Sequence, residues 1–317
     1  MLIFYILQVA IPLALIAWIA IAPQKSIVGF WTQAILTGIG IIALFFTGIL
    51  LFPPWWVPWV FGVLLVLIVI IASRCRRLLS FKPRGAVAWI ITTGFISFAL
   101  VAANQLRLAY AGAQVPPGPI ISLASPLSEG RYLVINGSAT TAINAHADAL
   151  DQSILAHRAY WGTAYGVDFV AIDSYGLRAN GIMPSDPRRY RIFGMAVVAP
   201  CAGTIIAAVD GLPDMRVPEL DERHIAGNYV IIRCDGVDLL LAHFQRGSVS
   251  TKAGEPIAVG AYIADVGNSG ATSEPHLHIH AQRPGTELAP FSGEPVVLGV
   301  EGRFFTRNER FFVLGSR

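Results

Sequence analysis

The chain has 317 residues, 54% hydrophobic and only 14% charged, with a mean hydropathy of +0.58. Soluble domains carry about 25% charged residues, so a single soluble domain is excluded, and the apolar content excludes a disordered chain. All 20 acidic residues lie at or beyond Glu129; residues 1–128 hold seven basic residues and no acid, and the remainder holds 16 basic residues for a net of −4. The overall +3 therefore joins a cationic half to an anionic one, which excludes a basic nucleic-acid binder.

A membrane-spanning helix needs about 20 consecutive apolar residues. Four such segments are expected within a transmembrane region over residues 1–107: residues 1–22, 27–52, 57–73 and 85–106. The second and third come from one charge-free run, Ser26 to Ser73, divided at Pro53, Pro54 and Pro58. No basic residue precedes the first segment, which reads as a retained helix rather than a cleaved signal peptide. Five basic residues fall between Arg74 and Arg84, which assigns that loop to the cytoplasm and Trp55, Trp56 and Trp59 to the opposite interface. The chain is thus expected to be a multi-pass protein of the cytoplasmic (inner) membrane, in contact with lipid. Everything after the fourth helix would sit on the periplasmic or extracellular side. The spans carry no ionisable residue at mid-depth to mark a transport path, so they read as an anchor.

Residues 108–130, with Pro116, Pro117 and Pro119, are expected to be a linker to a domain over 131–317. There, short β-branched runs alternate with Gly, Pro, Asn and Asp, the pattern of a mainly β domain. Strands are expected at 132–135, 167–172, 195–199, 203–209, 228–233, 237–243, 261–266 and 276–281. Cys201 and Cys234 fall beside two of them, and both a disulfide and two separate thiols fit that placement.

The seven histidines, at 146, 157, 224, 243, 276, 278 and 280, all lie in this second half. His276-Leu-His-Ile-His280 on a strand would turn three imidazoles to one face, a pattern that suits zinc and equally an exposed polar face. His224, among charged residues, reads as solvated, and His280 as a support or surface residue.

Context adds to that cluster. The strand follows Gly267-Asn-Ser-Gly270 and Pro275; upstream stand Ala242-His243, Gly227-Asn-Tyr-Val-Ile231, Ala199-Pro-Cys-Ala-Gly203 and Tyr165-Gly-Val-Asp168. In this order the chain resembles the lysostaphin-type (LytM-type) zinc endopeptidases, which cleave peptide cross-links of peptidoglycan, over about residues 157–285. The resemblance implies an antiparallel β peptidase domain with bound Zn2+, so the fold expected for the whole chain is the four-helix transmembrane region followed by that domain. It implies Asp168 and His278 as zinc ligands, His276 as the catalytic histidine that handles the attacking water, and His243 as its partner. The family's third ligand is a histidine four residues before the aspartate, where this chain has Ala164. Catalytic zinc takes three protein ligands and a water, so another residue must substitute or the site is inactive. His157 and His146, 7 and 18 residues before Ala164, are the candidates. Two functions follow. One is a membrane-anchored zinc metalloendopeptidase acting on peptidoglycan peptides. The alternative is an inactive peptidase-like domain that binds wall peptides or regulates a wall hydrolase.

Overall fold

The computed structural model describes residues 6–22, 24–75, 80–286 and 290–314. It separates into two compact units, Met1–Tyr110 and Ala111–Arg317. The first is helical: α1 (Ile11–Ile21, entered through a π-helical turn at Ile6–Ala10), α2 (Ile27–Thr47), α3 (Val57–Cys75) and α4 (Ala86–Gly112). Three of these, α2, α3 and α4, are long and apolar enough to cross a membrane; the apolar stretch Ile6–Ile21 is shorter. Residues 1–5 of the first expected span and 76–79 of the expected cytoplasmic loop lie outside the described residues. The second helix stops at Thr47, short of the expected residue 52, and the fourth runs to Gly112 instead of 106. Ser26 caps α2 by accepting from the Gly29 amide at 3.0 Å. Ile16, Ile19, Phe30, Ile41, Phe61 and Leu65 pack α1, α2 and α3 together.

The second unit is mainly antiparallel sheet. Its strands are β1 (Ile120–Leu123), β2 (Gly130–Asn136), β3 (Val167–Ala171), β4 (Ala196–Val198), β5 (Gly203–Val209), β6 (Asn228–Cys234), β7 (Val237–Phe244), β8 (Pro256–Ile257), β9 (Tyr262–Asp265), β10 (Leu277–Gln282), β11 (Pro295–Val300) and β12 (Arg310–Val313). Ten of them form one sheet in the order β12-β2-β3-β10-β7-β6-β5-β8, with β11 also against β10 and β1 against β11; β4 and β9 form a separate pair. The eight strands expected from sequence are present. β1, β8, β11 and β12 are additional, and β1, within the stretch expected as a linker, pairs in parallel with β11.

Alternation along β10 divides the sheet's two faces. Leu277, Ile279 and Ala281 join the main core, while His276, His278, His280 and Gln282 occupy the other face. The core's aromatic centre is Phe169, Phe305 and Phe311, with ring centroids 4.9–5.5 Å apart. Each such pair is worth about 0.5–1.5 kcal/mol beyond area burial. Here they fasten the C-terminal segment onto β3, the strand that carries Asp168. Cys201 and Cys234 are joined as a disulfide, with Cα atoms 6.2 Å apart.

Candidate metal centre

Strand pairing brings the polar residues together before any side chain is considered. β10 lies between β3 and β7, with His278 opposite both Asp168 and Ala242. Asp168 is 3% exposed, yet each carboxylate oxygen has partners. Oδ1 lies 2.8 Å from His278 Nδ1; Oδ2 lies 2.9 Å from His146 Nε2 and accepts from Asn136 Nδ2 at 2.8 Å. His146, Asp168 and His278 offer three ligand atoms within 4.8 Å of one another. Ligands around a tetrahedral zinc stand about 3.4 Å apart for bonds of about 2.1 Å. Two imidazoles and a carboxylate also make a donor set that zinc accepts, so the residues fit the ion.

His146 reaches this point through two asparagines. The Asn144 side chain accepts from the His146 amide at 3.1 Å, and its Nδ2 donates to Ser138 O at 2.8 Å and Gly166 O at 3.2 Å. Asn136 accepts from the Ala145 amide at 3.2 Å while its other end holds Asp168. A register shift between Val134 and Asn136 sets Asn136 directly opposite Asp168. Arg307, from the C-terminal segment, donates to Ile135 O, Asn136 Oδ1 and Ala142 O at 2.9, 2.9 and 3.2 Å, which ties both ends of this loop together. Burial lowers the Arg307 guanidinium to about 10, and the Asp168 charge opposes that shift. Of the two candidate substitutes, the structure brings His146 to Asp168. His157 lies within a short helical turn, Leu155–Arg158, and its Nδ1 meets Asp151 O at 3.1 Å.

Gly166 makes room for the pair: a Cβ there would stand 2.8 Å from His278 Cε1 and 3.3 Å from His146 Cδ2. Ala164, at the position where the related enzymes have a histidine, is fully buried.

His243 arrives by a bulge. Asn228 pairs with Phe244 and Tyr229 with Ala242, so His243 is the extra residue, in the left-handed region at φ 70°. That strain, of order 1–3 kcal/mol, turns the imidazole onto the histidine face. Its Nδ1 meets Ser269 O at 2.9 Å, so the hydrogen sits there and the Nε2 lone pair remains. His276 repeats the arrangement: Nδ1 lies 2.9 Å from Glu274 O, which accepts, while Nε2 stands 3.7 Å from Asp168 Oδ1. The two rings are 4.7 Å apart. Glu274 is itself held in a buried, two-bonded ion pair by Arg178, at 2.6 and 2.8 Å.

Electrostatics follow from burial. Burial works to raise the Asp168 carboxyl, but the charges of His146 and His276 and two imidazole hydrogen bonds hold it well below the usual range. Burial lowers the His146 imidazole, and the facing Asp168 carboxylate reverses this and raises it. Burial takes His278 down to about 4 and, with neighbouring imidazoles, takes His243 and His280 well below the usual value. These three are neutral at pH 7. His280, expected as a support or surface residue, is 1% exposed and lies with Nδ1 2.9 Å from His278 Nε2. His224 pairs with Asp221 at 2.8 Å on the surface.

Sequence reasoning missed Asn136, Arg307 and Gln282. Gln282 had a signal, because it continues the alternate-residue spacing of the three histidines. Asn136 and Arg307 had none, since a bulge and a contact 171 residues apart bring them together.

Residues 191–290 match the family model for Peptidase family M23. His243, His276 and His278 fall inside that span; His146 and Asp168 lie upstream of it. No curated protein matches the chain. Among solved structures, a candidate peptidase M23 from Pseudomonas aeruginosa is 15% identical with a TM-score of 0.28, over 57% of this chain and 53% of that one. The catalytic domain of lysostaphin from Staphylococcus simulans is 20% identical with a TM-score of 0.26, over 40% and 71%. A zinc containing peptidase from Vibrio cholerae is 18% identical with a TM-score of 0.23, over 37% and 46%. The chain spans about half the length of the first of these, at 53%. Residues 191–290, which span β4 to β10, are thus similar to peptidase family M23.

Proposed function

We propose that this chain is a membrane-anchored zinc metalloendopeptidase that hydrolyses peptide bonds in peptidoglycan cross-links. One observation carries the reading: His146, Asp168 and His278 converge within 4.8 Å, beside two histidines whose Nε2 lone pairs remain for catalysis. His146 would supply the ligand that Ala164 cannot, which favours an active site over the inactive alternative. The apolar helices would hold the protein in the cytoplasmic membrane, and the basic residues from Arg74 to Arg84 support placing the β-rich unit outside the cytoplasm.

Bound zinc would be held by His146, Asp168 and His278, and would supply a water acidified to a pKa of about 7 and a polarised scissile carbonyl. His276 Nε2, with its Nδ1–H anchored on Glu274 O, accepts a proton from the attacking water and returns it to the departing amine. The neutral His243 has spent its hydrogen on Ser269 O, so its Nε2 accepts a hydrogen bond from that water and orients it. Asp168 Oδ1 lies 3.7 Å from His276 Nε2, which keeps this imidazole beside the ligand set.

The test is metal analysis and peptide hydrolysis by the purified full-length chain in detergent. One zinc per chain is expected, lost in His146→Ala and retained in His157→Ala. His276→Ala should keep the metal and lose turnover. A folded, metal-free protein that still binds cross-linked peptides would overturn the hydrolase in favour of the binder.

A further inference from the structure

Behind His278, on the side away from Asp168, the same strand face continues into a buried chain of polar atoms. His278 Nε2 lies 2.9 Å from His280 Nδ1, and the next residue on that face is Gln282. His280 and Gln282 are 1% and 2% exposed. Gln282 Nε2 donates to Pro290 O at 2.5 Å, which fixes the amide so that Oε1 is the atom left to face His280. Gly162 leaves the space that Oε1 occupies; a Cβ there would overlap it. The amide lies near enough to favour a proton on His280, yet neither His280 Nε2 nor Gln282 Oε1 completes a hydrogen bond.

Counting hydrogens explains that unpaired couple. A neutral imidazole carries one N–H, on either ring nitrogen, so the placement of two hydrogens decides the pattern. When Nδ1 of His278 faces only the Asp168 carboxylate, its hydrogen must sit on Nδ1. Nε2 is then an acceptor, so His280 donates from Nδ1 and turns a bare Nε2 toward Gln282 Oε1. Two acceptors confront each other, both shielded from water. When a cation takes the Nδ1 lone pair of His278, the hydrogen moves to Nε2 and donates to His280 Nδ1. His280 then carries its hydrogen on Nε2 and donates to Gln282 Oε1. Every atom is satisfied, with no change in the number of protons.

We propose that His280 and Gln282 are positioning residues forming a tautomer relay, satisfied only when His278 ligates a metal through Nδ1. The proposal rests on the reading of His146, Asp168 and His278 as a metal site. The relay ties metal affinity to a residue that the ion never touches, as supporting partners of ligand histidines do generally.

The test uses the full-length chain labelled with 15N-histidine in detergent, with zinc itself as the probe. Without zinc, His278 and His280 should show Nδ1-protonated nitrogen shifts; with zinc, both should become Nε2-protonated. Gln282→Leu should weaken zinc binding about tenfold, the low end for such partners. If the wild-type protein binds zinc but His280 keeps one tautomer in both states, the relay alone is overturned. If it binds no zinc, the metal-site reading falls and the relay with it. A Gln282→Leu protein with wild-type zinc affinity also overturns the relay.

Discussion

Gly166→Ala isolates the geometric demand of the candidate site from backbone strain. Gly166 has φ −59° and ψ 148°, a conformation alanine adopts freely. Alanine there restricts the unfolded chain and should contribute about 0.4–1 kcal/mol of stability on that account. The new methyl, however, would lie 2.8 Å from His278 Cε1, 2.9 Å from Thr163 O and 3.3 Å from His146 Cδ2. Carbon atoms at rest stand about 3.5 Å apart or more, so the two rings must withdraw by roughly 0.2–0.7 Å. Overpacking of this kind costs about 1–3 kcal/mol, which leaves a net loss of up to about 2.6 kcal/mol after the backbone gain. Zinc tolerates displacements of only about 0.2 Å in its ligand distances, so metal binding should suffer more than folding. The expectation is at least about a tenfold loss of zinc affinity, equivalent to about 1.4 kcal/mol, in a protein that still folds. Competition with a chromogenic chelator measures the affinity, and thermal melting with and without zinc measures the rest. A folded Gly166→Ala protein with wild-type zinc affinity would refute the argument that this glycine exists to let two ligand imidazoles approach.

Arg178→Met leaves the Glu274 carboxylate buried without its partner, both groups being under 8% exposed, and should cost about 3–5 kcal/mol in urea unfolding. A loss below 1 kcal/mol would mean that water reaches Glu274. Reducing the Cys201–Cys234 bridge, which closes a 33-residue separation, should lower stability by about 4 kcal/mol on the chain-entropy account. Unchanged melting in reductant would contradict that figure. The metal-free protein should lose stability as pH falls from about 6.5 toward 4. His243, His278 and His280 are held neutral by burial, so the unfolded chain binds more protons across that window. For His278, lowered to about 4, the loss at pH 5 is about 2 kcal/mol, and melting curves equal at pH 7 and pH 5 would rule it out.

Elements whose physics is local were legible in the chain. Hydrophobic runs bounded by basic residues marked the apolar helices, and short β-branched runs between turn residues marked the strands β2 to β7, β9 and β10, because these patterns are written into consecutive residues. β8 is only two residues long, while β11, a continuous apolar run that Gly299 interrupts, and the four-residue β12 show no alternation of apolar and polar residues. The three histidines of β10 share a face because side chains alternate along a strand, so their common orientation was already present in their spacing.

What the sequence by itself determined is the division of the chain: an acid-free apolar part without histidines, and an acidic β-rich part holding all seven. It also carries an alanine at 164, where the family it resembles has a histidine. Which histidine approaches Asp168 was decided only in three dimensions. His146 and His157 are indistinguishable by composition and proximity. The choice rests on the register shift in β2, on Asn136 and Asn144 gripping the intervening loop, and on Arg307 arriving from beyond residue 300. The bulge that turns His243 inward is likewise a property of the β6–β7 register and not of any short motif. Metal geometry depends on where side chains from distant segments converge, and only the packed sheet sets those distances.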